Sequence, residues 1–160
     1  MTTLYTDTEL KAIANAPMLV SLAISLVDLG VVSTAMEAVA MSKQFTTAAK
    51  KYPNNSIIQT VFSEESLKSG MIRPGNPEVT AEEVESGAFV ERAINSVNET
   101  LAILDGKATP EEIQEYKQFI YACAQAVAEA AGPGLFGSGT PKISDKEGVA
   151  LSRVKTALGV

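Results

Sequence analysis

The side chains of this chain that could do chemistry are almost all carboxylates. Asp and Glu number 19 against 13 Lys and Arg, with no histidine and one cysteine. Histidine is the usual proton carrier near neutral pH, so its absence removes Ser-His-Asp and Cys-His catalysis. It also removes His-ligated zinc, the common haem ligations and the Glu-x-x-His pattern of di-iron bundles. Any site must therefore be built from carboxylates, amides or apolar surface. A lone cysteine forms no internal disulfide. Cys123 falls on the apolar stripe of a predicted helix and reads as a small buried hydrophobe.

Two carboxylates stand out by position. Asp28 follows the most apolar run, Ala16 to Val27, near a helix C-terminus where the helix dipole disfavours an anion. A carboxylate there needs a partner, a metal or solvent. Glu37 sits inside the apolar run Ala35 to Met41. If the flanking helices form a hairpin, Asp28 and Glu37 lie at the same end of it and form a candidate binding pair. The plainer reading exposes Asp28 and pairs Glu37 with a lysine such as Lys43. Calcium takes about six to eight oxygens, so a cation site would need Asp105 and Glu112 as well, with the two hairpins packed end to end. A carboxylate-only enzyme would need a close buried pair, and no spacing fixes one.

The glycine-rich stretch 132–139 fails as a phosphate loop: no Gly-Lys-Ser/Thr follows and no strand precedes it. Asp145 and Glu147 already occupy the favourable field at the next helix start. Leu135 and Phe136 are expected to tuck against the bundle, with the glycines permitting the turns.

The elements that position these residues read as helices throughout. Thr6 with Glu9, Thr80 with Glu83, Thr109 with Glu112 and Ser144 with Glu147 are four capping boxes. The first opens a short helix to about Asn15, and Pro17 opens a second that stops at Gly30. A third runs from Ser33 or Thr34 to Tyr52, before Pro53. A fourth restarts at Asn54–Ser56 and fades by Lys68. The fifth carries Val90, Ile94, Val97, Leu101 and Leu104 as one stripe, and Gly106 ends it. The sixth carries Ile113, Tyr116, Ile120, Cys123, Ala124 and Val127. The seventh, with Leu151, Val154 and Leu158, ends at Gly159. No useful segment alternates with period two, so no sheet is expected. The apolar helix ends at Leu26–Ser33 and Ile103–Thr109 share a form: an aspartate, a glycine and a hydroxyl cap.

The expected fold is all-α: one domain over residues 1–160, a compact bundle of about six to seven helices with two central hairpins. The loop near 70–79 divides two halves, and the segment 132–143 precedes the last helix. A chain of this size needs no staples. The 46% apolar content is accounted for by that core.

The formal charge of −6 opposes contact with phosphate backbones and anionic lipid. Lys50 and Lys51 read as partners of a helix end. The run from Ala16 to Val27 is too short for the ~20 residues that span a bilayer. The first residues lack a basic n-region and an apolar h-region. Neither nucleic acid nor a membrane is expected as partner, and the expected compartment is the cytosol.

The segments Ala16–Val20, Met36–Ala38, Val127–Ala131, Ile143–Glu147 and Ala150–Leu151 resemble a group of small helical bacterial proteins. The junction Asp105, Gly106, Thr109, Glu112 is similar to that of tellurite-resistance B-like domains. That resemblance implies an all-helical fold and a divalent cation held by acidic residues, here Asp105 and Glu112. The first junction departs from the pattern: Leu29 intervenes between Asp28 and Gly30, and Glu37 falls one place late. The primary expectation is a non-enzymatic bacterial binding or assembly protein with no cofactor, taking a protein partner or a second copy of itself. The alternative is an acidic metal-binding stress-response domain.

Overall fold

The first helix is set by its cap and completed by residues far away in sequence. The computed structural model describes residues 4–27, 34–70, 78–131 and 143–160. Helix α1 (Asp7–Leu26) opens on the Thr6 box: the Glu9 N–H donates to the Thr6 hydroxyl at 3.2 Å, and the Thr6 N–H donates to Glu9 Oε2 at 2.8 Å. The expected break before Pro17 does not occur, and one helix of 20 residues runs through it. Proline lacks the N–H that would bond the carbonyl four residues back, and its ring crowds that carbonyl. The carbonyl is that of Ile13, and Tyr116 donates its phenol to it at 2.6 Å. Nearby, the Thr100 hydroxyl, bonded to the Ser96 carbonyl of its own helix at 2.8 Å, also reaches the Ala12 carbonyl at 3.3 Å, and Ser21 donates to the Pro17 carbonyl at 2.7 Å. The backbone around the proline is thus served from neighbouring helices and from its own next turn.

This merger also removes the length argument against a bilayer span. With 20 residues and a mean hydropathy of 1.3 in its apolar window, α1 has the length and composition of a crossing helix, while half of that window is buried in the protein. A buried core helix has the same composition.

The remaining helices follow their punctuation with two further breaks. Helix α2 spans Thr34–Lys51, and α3 spans Ser56–Phe62 behind the N-cap Asn55. The expected fourth helix divides at Ser63, whose extended backbone (ψ 155°) ends α3 and caps α4 (Glu64–Ser69). The expected fifth divides at Gly87, which takes the left-handed φ of 75° between α5 (Ala81–Glu85) and α6 (Ala88–Leu104). Glycine reaches that region without a Cβ penalty. Helix α7 spans Pro110–Ala131 and α8 spans Asp145–Leu158. No strand occurs among the described residues.

The four long helices of the two expected hairpins form the centre, and they interleave. Helix α1 packs along α6 and α7, and α7 packs along α2, so the main contacts join helices distant in sequence. Phe45 of α2, Phe62 of α3 and Phe119 of α7 meet with ring centroids 4.9 to 6.1 Å apart. Tyr116, Ile120, Cys123, Ala124 and Val127 of the expected stripe are buried, and Phe119 is buried beside them. Helix α8 closes the bundle against α7, α1 and α6 with Ala150, Leu151, Val154 and Leu158.

Candidate functional site

Two places gather side chains with chemical potential: a polar junction where α3 meets α7, and a groove beside α8. The junction is built on Glu112. In the capping box of α7, the Thr109 N–H donates to Glu112 Oε2 at 2.9 Å, and the Glu112 N–H donates to the Thr109 hydroxyl at 3.2 Å. The other oxygen, Oε1, accepts the Ser56 N–H at 2.9 Å and the Ser56 hydroxyl at 2.5 Å. One carboxylate therefore serves the first turns of two helices. Burial works against its charge, but the bonds from Ser56 and Thr109 outweigh that and hold the carboxyl below its usual range.

Asn55 completes the junction. Its side chain is fully buried. Its carbonyl oxygen accepts the Ile58 N–H at 3.1 Å, capping α3. Its amide nitrogen donates to the Glu112 carbonyl at 3.0 Å and to Glu115 Oε2 at 2.9 Å. Close by in the fold, Lys107 pairs with Glu9 at 2.5 Å and lies over the Tyr5 ring, 5.5 Å from its centroid. The Lys107 bond, followed by the Thr6 bond, lowers the Glu9 pKa. These contacts cap the starts of α3 and α7, tie the two helices to each other, and tie Lys107 to the first turn of α1.

Of the sequence-predicted residues, Glu112 is the hub of this junction. Asp105 is the exposed C-cap of α6, with its N–H on the Leu101 carbonyl. Glu112 holds α3 and α7 together as described. Among the described residues, no three acidic or thiol side chains converge in a way that would hold a metal. Asp28 lies outside the described residues, as do residues 29–33, 71–77 and 132–142, among them Leu135 and Phe136. Glu37 is on α2, but its side chain is outside the description.

The groove was not foreseen from the sequence. It has a volume of about 580 Å³ and lies between α8 and the α5–α6 junction, reaching Val27 at the end of α1. Val90 and Ala150 form its floor, almost fully buried. Val84 and the Ser86–Gly87 turn form one wall. The other wall is the outer face of α8, where Val149 is 64% exposed between Asp145 and Arg153. Arg153 also pairs with Glu91 of α6. The only sequence signal for this surface is a valine on the outward face of α8, opposite the Leu151–Val154–Leu158 stripe. A single exposed apolar residue is ordinary on protein surfaces, so that signal singles out nothing without the fold.

Comparison of the chain with protein-family models, with curated proteins and with solved structures finds no match.

Proposed function

We propose that the chain is a non-enzymatic binding or assembly protein whose contact surface is the groove between α8 and the α5–α6 junction. The observation that carries this reading is the groove's make-up: an apolar floor, an exposed valine in one wall, and charges of both signs at its rim. Interfaces commonly place apolar groups at the centre and polar groups around them. The polar junction at Glu112 is read as architecture, because its hydrogen bonds cap the starts of α3 and α7 and hold the two helices together. The Cys123 thiol is fully buried and pushed up by that burial, the opposite of a reactive thiolate.

Light scattering on the eluting protein, over a wide range of loading concentrations, tests the assembly part. A mass that rises above one chain with concentration supports it. A strict monomer at high concentration counts against it.

A further inference from the structure

Resting on that assembly reading, we propose that the occupant of the groove is a second copy of this chain, docked by an antiparallel, two-fold contact of α8 on α8. Asp145, Val149 and Arg153 stand four residues apart on α8, so they share one face of the helix. All three line the groove. A helix rises 1.5 Å per residue, which puts the acid and the base each about 6 Å from the valine, in opposite directions. A two-fold axis through Val149 perpendicular to the helix sets Asp145 of one copy beside Arg153 of the other. It does so twice, and brings the two valines together between the pairs.

The face is thus its own complement, which a closed dimer requires and an unrelated partner does not. Arg153 can keep its pairing with Glu91 and still take a second carboxylate, since a guanidinium carries five N–H donors. Gly148, Ser152 and Thr156 run beside the valine on the same exposed side. A Cβ added at Gly148 would meet nothing within 4 Å, so the helix backbone is open to approach there. Specific stable interfaces bury about 1,200–2,000 Å² in total. One helix face with a groove wall offers a modest contact, and the formal charge of −6 repels a second copy. The dimer is accordingly weak, and exchanges with monomer over the micromolar to millimolar range.

The test is a charge exchange between copies, read by sedimentation equilibrium and by circular dichroism as a check of folding. Asp145→Arg and Arg153→Asp each put like charges across the axis, and each is expected to sediment as a monomer where the wild type self-associates. Mixed in equal amounts, the two variants restore both opposite-charge pairs and are expected to recover the dimer. Val149→Asp, which touches neither charge, is expected to abolish it. Self-association that persists in all three single variants overturns the α8 contact and leaves the assembly reading standing. A wild type that stays monomeric into the millimolar range overturns both. Folded single variants whose mixture fails to associate, beside an associating wild type, overturn the two-fold arrangement.

Discussion

Tyr116 donates its phenolic hydrogen to the carbonyl of Ile13 at 2.6 Å, and Pro17 is the residue that leaves that carbonyl without a helical partner. A proline in helix α1 is thereby matched by a tyrosine in helix α7, 103 residues from the acceptor. Both rings lie in the core, where an unpaired carbonyl costs about 1–3 kcal/mol.

Tyr116→Phe is therefore expected to destabilise the protein by about 1–3 kcal/mol. In a Pro17→Ala background the alanine N–H can bond Ile13, and the same substitution should cost less. Urea unfolding of the four members of the cycle measures the coupling, expected to exceed about 0.5 kcal/mol. Additive effects would show that the two residues do not serve the same carbonyl.

Removing the Glu112 carboxylate should loosen two helix starts at once. Glu112→Gln is expected to cost about 1–2 kcal/mol at neutral pH, in the range of strong capping interactions. The pKa of Glu112 is lowered in the folded protein. Its stabilisation is therefore fully present above the unfolded value, near 4.3, and is lost as pH falls through the folded value. Chemical denaturation between neutral pH and the acid limit should show wild type losing its advantage over Glu112→Gln below that point. A gap that stays constant with pH would contradict the charged double cap.

Asn55 both caps α3 and donates to α7. Asn55→Asp keeps the capping oxygen but replaces the donor with a charge facing Glu115. It should destabilise more than the 0.5–2 kcal/mol typical of losing a cap to alanine. Thermal unfolding of Asn55→Asp beside Asn55→Ala separates the two roles. An aspartate variant as stable as wild type would show that the donors matter little.

The punctuation of the fold was legible where it was local. The four boxes at Thr6, Thr80, Thr109 and Ser144 all form, because each closes between residues three apart. The stripes of α6 and α7 were legible for the same reason: a helical period reports a buried face without naming its partner. Pro17 misled because its compensation comes from Tyr116, invisible at any spacing rule. Glu112 carried a candidate metal role through the junction it shares with Asp105, Gly106 and Thr109, and nothing in that spacing shows that its Oε1 is already engaged. Ser56, from another helix, takes that oxygen. The groove was illegible because its walls come from three separate segments.

With Glu112 so engaged, Ca²⁺, Mg²⁺ and Mn²⁺ are expected to shift the thermal midpoint no more than sodium chloride at matched ionic strength. A midpoint that rises with one divalent ion and returns on chelation would instead support the metal-binding reading drawn from Asp105 and Glu112.

A dilution series of amide nitrogen–proton spectra tests the α8 groove as the contact surface most directly. From micromolar to millimolar protein, shifts should move progressively for Asp145 to Arg153 and for the facing Val84–Gly87 wall, while α3 and α4 stay fixed. Spectra that superimpose throughout, or shifts confined to other surfaces, would contradict the claim.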